Sequence, residues 1–272
     1  MNRVIPVLLA SAFAAASASA ADSPSIHLYS AGSLRTAMTD IAKNYAAAYG
    51  VEVEPVYGAS TALGERLAKG EPGDIFTSAD LASPEMLSQS GKGGPPVLFA
   101  RNHLCAVSRP GLNATTATLL TTMLDPAVKI ATSTPKNDPG GDYAWAMFAK
   151  ADAIKPGSRA TLETKAIKIG SVPGSLPIPP NAGNPVVWLF REKRADIFLS
   201  YCTNGAAAAA EMSGITTIAL PPELAVEAGY GLIVLQGANK DRASQFAFYI
   251  LSPAGQKILA AHGFDAPLLP KP

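Results

Sequence analysis

Ser33 and Ser60 are the residues whose type and setting most directly suggest chemistry. Each follows an apolar run that reads as a strand and precedes a helical pattern, so both stand at strand-to-helix turns. The first N–H groups of a helix lack intrahelical partners, and the helix dipole adds partial positive charge there. An anion can accept those N–H bonds and a serine hydroxyl bond together. Ordinary N-capping accounts for most serines placed this way, but two at consecutive turns of one sheet point more strongly to an anion site. Further along, Gly140-Gly141 and Gly183-Asn184-Pro185 precede other helical patterns, where bare glycine backbone admits close approach. Tyr201 closes a strand; its phenol is either a neutral donor into the same cleft or a core-edge group satisfied by backbone.

Catalysis finds less support. None of the histidines His27, His103 and His262 forms a Ser-His signature with either serine, and no G-x-S-x-G elbow is present. Asp74 and Asp80 lack a partner that would divide acid and base roles between them. No His/Cys cluster has metal-site spacing, so no cofactor is expected. The two cysteines, Cys105 and Cys202, either pair in an oxidising compartment or stay apart; sequence alone leaves both open.

The elements that must carry these residues follow from periodicity. Ser25–Ser30 reads as a strand, and Leu34 to Ala48 carries apolar residues at three- and four-residue steps up to a stop at Gly50. Val51–Val56 alternates as a second strand, Ala62–Lys69 is a short helix, and Asp74–Ser78 is a third strand. This β-α-β-α-β order predicts a parallel sheet with right-handed crossovers. In such sheets ligands bind at the carboxyl ends of the strands, where both serines lie. Strands are also expected at 104–108, 128–132, 196–201, 215–220 and 231–236. Helices are expected at 142–150, 186–193, 241–251 and 254–262. The α/β pattern thus occurs twice, which fits either two lobes or one continuous doubly wound domain.

Composition sets the context. Arg3, the apolar run Val4–Ala16 and the small residues Ala18-Ser19-Ala20 have the layout of a secretory signal cleaved after Ala20. Removing it takes away Arg3 and balances the 21 acids with 21 bases. A neutral chain argues against nucleic acid or anionic membrane as partner. Hydrophobic residues make up 48% of the chain and charged ones 16%, enough for a sizeable core.

Several strings resemble a known family. Leu28-Tyr29-Ser30-Ala31-Gly32-Ser33-Leu34, the Gly58-Ala59-Ser60-Thr61 turn, and Pro72-Gly73-Asp74-Ile75-Phe76-Thr77-Ser78-Ala79-Asp80 are similar to motifs of the periplasmic molybdate-binding proteins, the ModA family. The likeness runs from about residue 25 to the end, loosens between 110 and 184, and returns at Ala195–Tyr201 and Gly263-Phe264.

The resemblance implies an α/β, two-lobed type II periplasmic-binding-protein fold. Each lobe would be a mixed, mostly parallel sheet flanked by helices, and crossing strands would join the two. Residues 1–20 would be the signal peptide, 21–103 the first part of lobe one, 104–230 lobe two, and 231–272 the return strand and closing helices of lobe one. Ser33 and Ser60 would donate to molybdate or tungstate from lobe one. Tyr201 and the backbone of Gly140 and of Gly183 or Asn184 would donate from lobe two. The donors would touch the oxygens of the anion. No acid is expected near them, in keeping with an anion that carries no proton. The partner would be a membrane permease of an ABC importer, the location periplasmic and the chain a monomer. Another oxyanion such as sulfate is the alternative ligand, and an exported hydrolase the alternative class. Two departures from the family pattern fall in lobe two: the Pro-rich loop Ser171–Asn184, and Cys202-Thr203-Asn204 after Tyr201.

Overall fold

The computed structural model describes residues 25–237 and 239–267; the expected signal segment lies outside them. Its first part alternates as the sequence predicts: β1 (Ile26–Ala31), a single 3-10 turn Gly32–Leu34, α1 (Arg35–Tyr49), β2 (Val53–Gly58), α2 (Ser60–Ala68), β3 (Ile75–Ser78) and α3 (Ala82–Gln89). Helix α1 buries Ala37, Met38, Ile41, Ala42 and Tyr45 on one face. It stops where Gly50 adopts a left-handed φ of 67°, a conformation that a side chain would strain. Strand β1 pairs in parallel with β2 and with β3, so Ala31, Gly58 and Ser78 all lie at one edge of the sheet.

The second part contains β4 (Val97–Ser108), α4 (Leu119–Leu124), β5 (Ile130–Ser133), α5 (Pro139–Ile154), α6 (Ser158–Lys165), β6 (Ile167–Ile169), α7 (Pro185–Arg191), β7 (Ile197–Tyr201), α8 (Cys202–Glu211) and β8 (Thr216–Ala219). The chain then returns through β9 (Glu227–Val234) and closes with α9 (Lys240–Leu251) and α10 (Pro253–Ala261). Strand order across the molecule is β2-β1-β3-β9-β4-β7-β5-β6, with β8 also on β4.

Strand β4 joins the two lobes. Its residues 97–103 pair with β9 in the first sheet, and its residues 104–108 pair with β7 and β8 in the second. The periodicity reading found only the second segment; the first is interrupted by a register shift between Leu98 and Ala100, which hides its alternation. The return strand likewise starts at Glu227 rather than 231, because Glu227, Ala228 and Gly229 pair with His103, Asn102 and Arg101.

Each lobe has cores on both faces of its sheet. In the first, Ile26, Leu28, Met38, Ile41, Phe246 and Ile250 pack together on one face, and Tyr29, Leu63, Phe76 and Ile233 on the other. In the second, Leu104, Ile130, Met147 and Phe148 form one core and Val107, Ala131, Val186 and Phe198 another. The closing helices belong to the first lobe: Phe246 meets Tyr45 with ring centroids 4.9 Å apart. Cys105 on β4 and Cys202 at the start of α8 are disulfide-bonded, their Cα atoms 4.9 Å apart. Among the described residues no helix is long and apolar enough to cross a membrane.

Candidate functional site

Three helix starts meet at the cleft without a side-chain cap. Ser33 lies in the 3-10 turn that leads into α1, Ser60 is the first residue of α2, and Tyr201 immediately precedes α8; none of these starts has a capping side-chain hydrogen bond. Their first-turn N–H groups are therefore left to other acceptors. Ordinary capping, the bland account of the two serines, is not what they do.

The serine hydroxyls are instead oriented by other groups. Ser60 is 1% exposed, and its Oγ accepts the Ala79 N–H at 2.9 Å. With that lone pair occupied, the hydroxyl proton is free to turn toward a ligand. Ser33 Oγ shares a 2.9 Å hydrogen bond with the Tyr230 hydroxyl. Tyr230 lies on β9, fully buried, and Asn102 Nδ2 donates to its hydroxyl at 3.4 Å. Asn102 Nδ2 also donates to Thr203 Oγ1 at 3.0 Å, which ties β4 to the first turn of α8.

Tyr201 enters from the second lobe. It is 4% exposed; among the described residues no group meets strict hydrogen-bond geometry with its hydroxyl, and the Tyr230 hydroxyl is the side-chain group nearest to pairing with it. Its ring stacks edge-on against Tyr230 at 5.6 Å and against Tyr143 at 6.2 Å between centroids. Burial raises the phenols of Tyr143, Tyr201 and Tyr230 well above their ordinary value, so all three stay protonated and can donate. A buried polar hydrogen without a partner costs about 1–3 kcal/mol, and Tyr201 is held in that condition by packing on both sides.

Tyr143, on α5, donates its hydroxyl to the Ala79 carbonyl at 3.1 Å. The Ala79 peptide is thus held on one side by lobe two and on the other by Ser60. Tyr143, Tyr230 and Asn102 were not singled out from sequence, and Ala79 only as part of the Pro72–Asp80 string. Pairing of β4 with β9 brings Asn102 to Tyr230, and the approach of the two lobes brings Tyr143 to Ala79.

The backbone donors expected from lobe two behave differently. Gly140 does adjoin Tyr201: a side chain on it would meet Asp138 Oδ1 at 3.3 Å, Ser133 Oγ at 3.5 Å and Tyr201 Cε2 at 3.6 Å. Its N–H, however, donates to Asp138 Oδ1 at 2.9 Å, since Asp138 caps α5. This corrects the expectation that no acid lies near the donors. The signal was legible: Asp followed by Pro is a strong helix-start pair, and it places the start of α5 at Pro139 rather than at 142. Burial pushes the Asp138 carboxyl up to about 6; the Gly140 N–H opposes this, and the negative charges of Asp142 and Asp80 add to it.

Gly183 is exposed, has a φ of 72°, and has open space where a side chain would stand. Asn184 caps α7, its Oδ1 accepting from Val186 N at 2.9 Å and Val187 N at 3.5 Å. Among the described residues neither is hydrogen-bonded to Ser33, Ser60, Gly140 or Tyr201. Topology does bring them to the same edge, because α7 leads back to the start of β7 and so begins at the end where Tyr201 lies. Beside the site a cavity of about 540 Å³ opens between α2, α3 and the entry to α5, lined in part by Thr61, Asp80, Ser83, Lys136 and Asp142. It takes in Thr61, next to Ser60, but neither Ser33 nor Ser60. Among the described residues no cluster of three or more metal-ligating side chains occurs.

Comparison with known proteins places this arrangement. The family model for bacterial extracellular solute-binding proteins matches residues 26–265. A protein from Pasteurella multocida of unassigned function, PM1146, is 32% identical over 76% of this chain and 86% of its own. The molybdate-binding protein ModA of Escherichia coli is 26% identical over 93% of both chains. Among solved structures, the periplasmic molybdate-binding protein of Azotobacter vinelandii superposes with a TM-score of 0.73 at 21% identity, covering 90% of this chain and all of the other. The sulfate-binding protein SubI of Mycobacterium tuberculosis superposes with a TM-score of 0.74 at 20% identity, covering 89% and 87%.

Proposed function

The chain belongs to the bacterial extracellular solute-binding protein family, and from that premise we propose that it captures molybdate, with tungstate as a near equivalent, and delivers it to an ABC importer. The observation that carries this reading is the Tyr201 hydroxyl, buried and in strict hydrogen-bond geometry with no group among the described residues, packed on the same Tyr230 that holds Ser33. Packing holds a donor dry and unsatisfied at a cost, and an oxyanion in the cleft would relieve it. The similarity to relatives named as molybdate-binding supports molybdate as the anion.

The mechanism is reversible capture without covalent chemistry. An open form would take the anion on Ser33, Ser60 and the free N–H groups of lobe one. Lobe two would then rotate in, bringing Tyr201 and the first turn of α8. We divide the lobes at residues 103/104 and near the start of β9. Residues 1–20 would direct export to the periplasm, and the closed monomer would dock on the membrane permease.

Sulfate is the second reading, favoured by the equally good superposition on a sulfate-binding protein. Thermal unfolding with added molybdate, tungstate, sulfate or phosphate separates the two, because a ligand stabilises only the state that binds it. A rise in Tm with molybdate and tungstate at micromolar concentration is expected. A rise with sulfate alone would overturn the molybdate assignment.

A further inference from the structure

We propose that Asp138 is the proton carrier of the site, so that a tetrahedral oxyanion is taken up together with one proton. The inference rests on the oxyanion reading and concerns what that anion must meet in lobe two. Asp138 Oδ1 accepts the Gly140 N–H at 2.9 Å, and its backbone oxygen accepts the Gly141 N–H at 2.9 Å. The carboxylate therefore occupies the anion seat at the start of a helix of 16 residues. It lies within the same small space as Gly140, Ser133 and the ring of Tyr201, and the buried Tyr201 hydroxyl meets strict hydrogen-bond geometry with no group among the described residues.

The groups facing Asp138 give it no compensating charge. Asp142 faces it from α5, Asp80 from the turn after β3, and Tyr201 from the end of β7. Lys136 stands in the preceding loop, but its N–H and its charge serve Asp142. Among the described residues no lysine, arginine or histidine forms an ion pair with Asp138. A dianion set beside an ionised Asp138, with two further acids near, is repelled. A neutral Asp138 instead offers an O–H to the anion.

Burial already brings that carboxyl to about 6, so the proton is within reach at neutral pH, and a bound dianion raises it further. The linkage then has a definite sign. Affinity is full below about pH 6 and falls as pH rises, by up to about tenfold per pH unit, until the bound carboxyl also ionises. For molybdate, tungstate or sulfate the proton sits on Asp138; for hydrogenphosphate it comes with the ligand, and Asp138 accepts it. Both are one O–H···O pair.

Titration calorimetry of the mature chain tests this, with molybdate, sulfate and phosphate between pH 5.5 and 8.5 in two buffers of different ionisation heat. Uptake of about one proton per molybdate or sulfate is expected near pH 7.5, with the tenfold decline per pH unit above it. Asp138→Asn keeps the helix cap and supplies a neutral donor, so it should bind molybdate with no proton uptake and a flat pH profile. Phosphate should show less uptake than molybdate in the wild type, since it brings its own proton. Wild-type binding without buffer dependence overturns the role of Asp138 and leaves the oxyanion reading standing. Proton uptake that persists in Asp138→Asn also overturns it. Absence of binding heat with every anion at every pH overturns both.

Discussion

Tyr143 of lobe two donates its hydroxyl to the carbonyl of Ala79 in lobe one, 3.1 Å away. Since the N–H of the same Ala79 is held by Ser60 at 2.9 Å, lobe contact and serine orientation share one residue. A change in the distance between the lobes is therefore transmitted to the Ser60 hydroxyl, the group proposed to face the anion.

Tyr143→Phe should weaken oxyanion binding about 3- to 10-fold, the value of one neutral hydrogen bond. The ring still packs against Tyr201, so the fold should be unaltered. Calorimetry gives the affinity, and small-angle scattering gives the fraction closed; an unchanged closed fraction would remove Tyr143 from the latch.

Ser60→Ala should lower stability by about 1–3 kcal/mol even without ligand, because it leaves the buried Ala79 N–H unpaired. Binding should weaken as well. Denaturant unfolding of the ligand-free protein is the discriminating measurement, since a serine serving the ligand alone would leave it unchanged.

Tyr201→Phe should do the opposite to stability. It removes a buried hydroxyl that meets strict hydrogen-bond geometry with no group among the described residues, so the ligand-free protein should be as stable as wild type or slightly more stable. Anion affinity should nevertheless fall at least tenfold. Stability lost in step with affinity would show a structural role only.

Reduction of the Cys105–Cys202 disulfide, or Cys105→Ser with Cys202→Ser, opens a loop of 97 residues. Chain entropy sets the upper limit of the loss at about 4–5 kcal/mol. Because Cys202 follows Tyr201 directly, binding should also weaken. Melting curves with and without reductant, each repeated with molybdate, measure both effects.

Asp138→Asn should raise stability more at pH 8 than at pH 5. The wild-type carboxyl, lifted from 3.8 to about 6, is destabilising once ionised: the folded state holds its proton more tightly than the unfolded one, and that advantage is lost as pH rises through about 6. The gain should reach about 2–3 kcal/mol above pH 7 and vanish near pH 4. A stability difference independent of pH would contradict the shift.

Much of lobe one could be read directly from the chain, because its information is local. Gly50 ends α1 through its own φ, and the apolar spacing from Leu34 to Tyr45 selects the buried face. Ser33 and Ser60 are marked by the strand-to-helix order around them. Lobe two was less legible: α4, α6 and β6 are short, and α8 is a run of alanines whose periodicity is faint. Asp138 carried a readable capping signal, but its position beside Tyr201 did not follow from it.

What the amino-acid order alone determined was the alternation of strands and helices and the carboxyl-edge placement of the two serines. What only the tertiary structure decided was which groups meet around those serines. Tyr230 reaches Ser33 across 197 residues, Tyr143 reaches Ala79 across 64, and Asp138 comes beside Tyr201 only because β5 and β7 are neighbours. Hydrogen bonds and charges act over a few ångströms, whereas sequence pattern reports on neighbours three or four residues away. The helix starts were therefore visible from the beginning, and the buried acid among them was not.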